Sequence, residues 1–324
     1  MLLLFCYNNK TTCIIQKKTT IQDIRKTIQQ KTRGFIKIIR PNNIVPTLFL
    51  SFTGGWIANP SLQNLLSSPK FIVSAINTVN VMSSSMVVND IFDMEVDTIN
   101  NPKRPLVTGE ITKKDAILFN CFIIGLTEFL SFRYLTLKLT LFVNLALLNV
   151  TLYTPILKKI LFVKNVSCAS LVAFSLYFAG LASINTNSLS LSNKSKKLLS
   201  ITSNIIFFGS LYNELVLDMC DYEGDKKMGI NTVPVVYGLN KTLDITYKMT
   251  KYSIVFNSIW LMSLFDFYSG VLFMIILTPL LHYLKAIHIS NYSKESIRKA
   301  SGATNIPLFM LLFYSCVLAK MIKK

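Results

Sequence analysis

Apolar residues run along this chain in blocks separated by short charged stretches. Nine blocks stand out, at 44–60, 71–89, 115–133, 139–157, 166–184, 198–217, 252–266, 270–287 and 304–321. Most approach the 17–20 or so residues that a helix needs to cross the hydrocarbon core of a bilayer. The seventh and eighth are parted only by "DFYSG", so they read either as two spans or as one re-entrant hairpin.

Composition agrees with the pattern. The chain is 51% hydrophobic and 15% charged, where a soluble protein of this length carries about a quarter charged residues. The expected fold is an all-α integral membrane protein with about nine transmembrane helices around a central cavity. A large soluble helical protein is set aside on the same grounds.

Charge sharpens the topology. The 34 Lys and Arg outnumber the 16 Asp and Glu, giving a net charge of +18. They lie between the apolar blocks rather than on one soluble face, which excludes nucleic acid as the partner and points to lipid headgroups. On the side that holds the basic N-terminus, the loops carry Lys103, Arg104, Lys113 and Lys114, then Lys158, Lys159 and Lys164. Further along come Lys226, Lys227, Lys241, Lys248 and Lys251, then Lys285, Lys294, Arg298 and Lys299. The opposite loops are poorer: Lys70, then Arg133 and Lys138, then Lys194, Lys196 and Lys197. This is the positive-inside bias of a multi-pass protein. Residues 1–40 carry a single acid, Asp23, and read either as an organelle-targeting segment or as a solvated basic arm ending in an amphipathic helix near "FIKIIRP". Residues 41–324 form the membrane domain. Six scattered cysteines and only two histidines, His282 and His288, give no zinc knuckle, disulfide framework or Ser-His-Asp triad.

The few acids are not spread out. Nine of them fall in two clusters: Asp90, Asp93, Glu95 and Asp97, then Glu214, Asp218, Asp221, Glu223 and Asp225. Both clusters follow even-numbered blocks, so both are expected on the basic side, facing each other across the cavity. Asp90, Asp93 and Asp97 recur at i, i+3 and i+7, as do Asp218, Asp221 and Asp225, which places each set on one face of a helix. Like charges so arranged repel, and no cation stands at a matching position on the same helix. A divalent cation resolves the repulsion. Carboxylate oxygens without His or Cys favour Mg²⁺, which bridges carboxylates to phosphate oxygens, so a phosphorylated or diphosphorylated substrate is implied. Solvated loop charges would account for one such cluster but not for a matched pair.

These residues resemble a family. "NDIFDMEVD" with "INNPKRPLVTGEIT" looks like the first signature of the UbiA-type intramembrane prenyltransferases, and "DMCDYEGDKKMGINTVPVVYG" like the second. "YTPILKKILFVKN" at 153–165 resembles the Tyr-and-Lys stretch after the fourth span. The resemblance implies transfer of a polyprenyl group from an allylic polyprenyl diphosphate to an acceptor, releasing pyrophosphate. It implies Asn89, Asp93 and Asp97, together with Asp218, Asp221 and Asp225, as holders of Mg²⁺ and diphosphate. Asp90 either supports this shell or faces outward. Tyr153 and one of Lys158 or Lys159 would contact the diphosphate, with Lys164 and Arg104 as further anion contacts.

The chemistry suits the residues. Breaking an allylic C–O bond leaves a delocalised cation on the prenyl group and concentrates negative charge on pyrophosphate. Cations absorb that charge as it develops, with Asp93, Asp97, Asp218, Asp225 and Lys158 at the centre of the catalytic site. An apolar intramembrane cavity keeps water from the carbocation. Glu214, inside the sixth block, is expected to face the cavity and contact the acceptor. The acceptor expected from the family's commonest employment is a phenolic quinone or tocochromanol precursor, with tetrapyrrole and glycerol-phosphate lipid acceptors as alternatives. A cation-coupled transporter is the rival from another class, although its carboxylates would sit near mid-membrane on broken helices. No protein partner is implied, and the basic N-terminus suggests a mitochondrial or plastid membrane.

Overall fold

The computed structural model describes residues 23–184 and 192–323. The possible targeting sequence at 1–22 lies outside them. Among the described residues all regular structure is helical. A first helix, α1, covers 23–38. It is followed by α2 (Ile44–Ala58), α3 (Leu62–Leu66), α4 (Pro69–Phe92), α5 (Met94–Asn100), α6 (Lys113–Tyr134), α7 (Leu137–Tyr153) and α8 (Val163–Ala182). The remainder are α9 (Asn193–Lys227), α10 (Val233–Tyr237), α11 (Leu239–Leu264), α12 (Phe267–Ile289), α13 (Lys294–Ala303) and α14 (Asn305–Lys323).

Each of the nine apolar blocks coincides with a helix, but the helices are not equal. Among the described residues five segments are long and apolar enough to cross a membrane: Pro69–Phe92, Lys113–Tyr134, Val163–Ala182, Phe267–Ile289 and Lys294–Ile322. The expected count of nine is therefore not matched by length and hydropathy alone. At 15 and 17 residues, α2 and α7 are short. Length is not what α9 and α11 lack. They carry polar residues that face neighbouring helices, where a fully apolar surface is not required. Asn257 Nδ2 on α11 donates to Asn204 Oδ1 on α9 at 2.9 Å, and Thr202 Oγ1 on α9 donates to Ser315 Oγ on α14 at 3.2 Å. Such bonds between helices hold bundles together where lipid removes the ordinary hydrophobic drive. The seventh and eighth blocks belong to two long helices, α11 and α12, of 26 and 23 residues. At 1.5 Å per residue each is roughly 35 Å or longer, which excludes a short re-entrant hairpin.

Two compact units organise the chain. One comprises residues up to Asn42 together with Met82–Ile123. In it, α1 packs through Ile38, Phe35 and Ile39 against Val87, Leu106, Ile111 and Ala116, with Phe35 and Phe119 rings 4.8 Å apart. Three cations of the basic N-terminal stretch find carboxylates here. Lys31 pairs with Asp115 at 3.0 Å, Lys37 with Glu110, and Arg40 with Asp90 at 2.9 Å. The end of this helix, around Gly34 to Ile38, is packed, while residues 23–30 are exposed.

The other unit comprises Asn43–Val81 and the chain from Ile124 onward. Its helices α8, α9, α11 and α12 pack in sequence, with α2 lying on α8 and α14 on α2 and α12. Trp56 Nε1 ties α2 to α14 by donating to the Cys316 carbonyl at 3.1 Å. The crossing of α2 and α8 is close: a Cβ added at Gly54 would lie 1.9 Å from the Leu176 carbonyl oxygen. Only glycine lets the backbones meet there. Gly54→Ala must push α2 and α8 apart, and we expect it to cost about 1–3 kcal/mol, read as a lowered midpoint in thermal unfolding in detergent. An unchanged midpoint would show that the crossing is looser than described. Along α7, Leu137, Leu141, Leu145 and Leu148 are exposed while Leu139, Val143, Leu147 and Val150 are buried. A helix apolar on both faces, one of them uncovered, is suited to lipid on the open side.

Candidate active site

The first acidic motif lies where α4 gives way to α5. Asp93 is the junction, with φ −88° and ψ 8°, outside the helical basin. The helical ladder nevertheless continues across it: Asp93 N–H bonds Asn89 O at 2.9 Å and Asp97 N–H bonds Asp93 O at 2.8 Å. Asn89, Asp93 and Asp97 therefore keep their i, i+4, i+8 succession along one face. Asn89 and Asp93 are half-buried, Asp97 is buried, and Glu95 is exposed.

Asp90 points elsewhere. Its side chain is fully buried, with Oδ1 at 2.9 Å from Arg40 Nη2 and 3.9 Å from Arg104 Nε. Arg104 also stands 3.9 Å from Asp97 Oδ2, and Asn101 Nδ2 donates to Asp97 Oδ1 at 3.0 Å. Arg104 thus bridges two carboxylates of the motif. Arg40 occupies the left-handed region, φ 51°, an uncommon place for a residue with a side chain. The contact with Asp90 and the following Pro41 hold it at the end of α1.

The second motif lies on α9, which runs past its apolar block to Lys227. The helix ends in a glycine turn: Gly229 has φ 67°, its N–H reaches Lys226 O at 3.3 Å, and Ile230 N–H reaches Asp225 O at 2.9 Å. This double bond pattern stops a helix and favours glycine at the left-handed position. Gly224 lies inside the helix.

Asp218 is buried, and both its oxygens are engaged. Lys164 Nζ donates to Oδ1 at 2.7 Å and Asn165 Nδ2 to Oδ2 at 2.9 Å. Both donors sit in the first turn of α8, whose N-terminal end adds partial positive charge. Phe162, just before α8, has φ 67°, and that left-handed turn aims Lys164 and Asn165 at α9. Tyr153, the last residue of α7, hydrogen-bonds Cys168 on α8 and shares its surroundings with Glu214 and Asp218. In the turn between α7 and α8, Lys158 is half-buried and Lys159 exposed. Asp221 is exposed and Asp225 half-buried. Burial holds the Asp225 carboxyl above the ordinary carboxylate range, with the Asp218 and Asp221 charges adding to the effect; Lys164 pulls it part of the way back. Glu128, midway along the third apolar block, accepts from Asn144 Nδ2 at 3.4 Å.

The residues expected from sequence thus fall into two groups. Asn89, Asp90, Asp93, Asp97 and Arg104 come together in one unit, and Tyr153, Lys158, Lys159, Lys164, Glu214, Asp218, Asp221 and Asp225 belong to the other. Sequence reasoning assigned no role to Arg40, Asn165 or Cys168. A lone arginine before a proline in "FIKIIRP" and the last residue of "YTPILKKILFVKN" were the available signals.

Comparison with known proteins gives this arrangement a family. Residues 47–315 match the UbiA prenyltransferase family. Digeranylgeranylglyceryl phosphate synthase of Saccharolobus solfataricus is 26% identical over 273 residues, covering 84% of this chain and 90% of that protein. The enzyme of the same name from Sulfolobus acidocaldarius is 33% identical over 214 residues, covering 65% and 71%. A solved structure concerned with digeranylgeranylglyceryl phosphate synthase in membranes superposes with a TM-score of 0.70 at 23% identity, covering 89% of this chain and 98% of that one. A UbiA homologue from Archaeoglobus fulgidus, bound to GPP and Mg²⁺, gives 0.63 at 17% identity, covering 89% and 99%. At these identities the structural likeness is one of fold. With most of the chain matched to one family, this protein belongs to the UbiA prenyltransferases and is an integral, multi-pass membrane enzyme.

Proposed function

We propose that this enzyme transfers a geranylgeranyl group from geranylgeranyl diphosphate to the free glycerol hydroxyl of geranylgeranylglyceryl phosphate. The allylic C–O bond of the diphosphate breaks, a new ether C–O bond forms to the glycerol oxygen, and the hydroxyl proton and pyrophosphate leave. The observation that carries this reading is the shared name of relatives covering most of the chain, digeranylgeranylglyceryl phosphate synthase. It favours the glycerol-phosphate alternative over a phenolic quinone or tocochromanol precursor, a reading that rested on the family's commonest employment alone. The same relatives are archaeal, so the mitochondrial or plastid address loses its support.

The donor set fits a hard divalent cation. Asn89, Asp93 and Asp97 from the first motif, and Asp221 and Asp225 from the second, offer only oxygen. Among the described residues no three His, Cys, Asp or Glu side chains gather into a complete metal cage. Mg²⁺ does not need one, since it takes one or two carboxylates and fills its remaining positions with phosphate oxygens and water. When bound, it would neutralise the charge that develops on the leaving pyrophosphate. The chain's own cations share that task, with Lys158 and Arg104 as diphosphate contacts. Asp218 holds Lys164 and Asn165 in place, as Asp90 holds Arg40 and Arg104, so both act as counter-ions that position cations. The apolar helices exclude water from the prenyl cation.

Two tests follow. Supplied with Mg²⁺ and geranylgeranyl diphosphate, the purified protein is expected to prenylate geranylgeranylglyceryl phosphate and to leave a phenolic acid acceptor untouched. Preference for the phenol would overturn the proposal. The second test is acid sensitivity. Asp225 takes up its proton at a higher pH than an ordinary aspartate, near 3.9, and a protonated carboxyl no longer binds metal. Turnover should therefore fall on the acid side above that value, and raising Mg²⁺ should move the fall to lower pH. A profile indifferent to Mg²⁺ concentration would remove Asp225 from the metal site.

A further inference from the structure

A glyceryl phosphate acceptor brings a second anion to the enzyme besides the diphosphate. The cations so far described are assigned to the diphosphate or engaged by Asp90, Glu110, Asp115 and Asp218, so the acceptor's phosphate needs a seat of its own. Resting on the acceptor reading above, we infer that Lys294 and Arg298 of α13 bind the phosphate monoester of the acceptor.

The argument starts from the register of α13 on α9. Ser301 Oγ donates to Asn213 Oδ1 at 2.7 Å, while Lys294 and Arg298, earlier in α13, act on Asp221, later in α9. Ile297 and Ala300 are buried, and α13 packs along α9. Numbers fall on α13 as they rise on α9, so the helices run antiparallel. At the common rise of 1.5 Å per residue, Arg298 and Lys294 come level with the stretch from Val216 to Cys220, which holds Asp218 and adjoins Asp221. Their charges are felt by the Asp221 carboxylate.

Lys294 and Arg298 stand at i and i+4, one above the other on the same side of α13. Both are exposed, and among the described residues neither makes an ion pair. The one acid of this helix, Glu295, is displaced from Lys294 by about 100° around the axis. Two unpaired cations beside the second motif, on a polar helix between the apolar α12 and α14, are placed at headgroup depth. An acceptor whose prenyl chain lies in the bilayer presents its phosphate at that level. Lys and Arg together supply the charge and the forked donor geometry that a phosphate monoester accepts.

The test uses the full chain in phospholipid-free detergent with a Lys294→Gln, Arg298→Gln double variant. Both side chains are exposed, so folding is expected to be retained, and the exchanged Lys294→Arg, Arg298→Lys variant checks that charge rather than shape matters. For geranylgeranylglyceryl phosphate, KM should rise by about 10-fold or more, the scale of a lost charge-assisted contact. KM for the prenyl diphosphate should stay within about twofold, and the exchanged variant should recover most of the loss. With the dephosphorylated glyceryl ether as acceptor, wild type and double variant should be alike. An unchanged acceptor KM, a raised diphosphate KM, or an equal loss with the dephosphorylated ether would overturn the assignment. A wild type that does not prenylate the glyceryl phosphate at all would fail the acceptor reading itself, and this inference with it.

Discussion

Replacing Asp93 and Asp225 together by alanine is expected to abolish prenyl transfer, lowering kcat/KM by at least about 10³-fold, the scale on which preorganised electrostatic groups act. Each motif then loses a central oxygen donor, and the developing pyrophosphate charge loses the cation those donors hold. Neither side chain is fully buried, so the variant should keep its helical circular dichroism and its thermal midpoint. Radiolabelled geranylgeranyl diphosphate gives the readout. Full transfer by the double variant would sink the assignment of these carboxylates.

The second large effect concerns stability. Asp90 is the most enclosed acid of the first motif, with no exposed side-chain surface, and Arg40 is its nearest cation at 2.9 Å. Arg40→Met would leave that carboxylate buried with only the longer contact to Arg104, at 3.9 Å. Removing one partner of a buried pair strands the other, at a cost of about 3–5 kcal/mol. We expect a large drop in the unfolding midpoint of Arg40→Met and substantial recovery in Arg40→Met, Asp90→Leu, where no buried charge remains unpaired. A small effect of the single variant would mean that Arg104 alone suffices as the counter-ion.

The helices and the candidate chemistry were legible in the sequence for different reasons. Apolar blocks announce helices because lipid and a helical core both reject charge, so the positions of α4, α6, α8 and α12 could be read directly. The number of spans could not, because α11 turns the buried Asn257, beside the buried Ser253, toward the half-buried Asn204 of α9. Hydropathy treats such residues as though they faced lipid. The two aspartate series were legible because their spacing is local, set by one helix turn. Arg40 was not, since its partner lies 50 residues away and no local rule links them. Asn165 was hidden in the same way, being 53 residues from Asp218. Asp90 and Asp218 looked like metal ligands by spacing, and the cations that occupy them became visible only in three dimensions.

The acceptor was the least legible feature. Both signatures are proposed to hold the diphosphate donor, so they carry little information about what receives the prenyl group. Lys294 and Arg298 read from sequence as ordinary loop charges that set topology. Only the register of α13 against α9, fixed by Ser301 and Asn213, brings them beside Asp221 and gives them a substrate to recognise.

The central claim is that an ether bond is made to a glycerol hydroxyl on a lipid phosphate. Mass spectrometry of the product formed from geranylgeranylglyceryl phosphate carrying ¹⁸O in its free hydroxyl tests it most directly. The account predicts a digeranylgeranyl product that retains both the ¹⁸O and the phosphate, with unlabelled pyrophosphate released. Absence of that product, or its formation without the ¹⁸O, would contradict it.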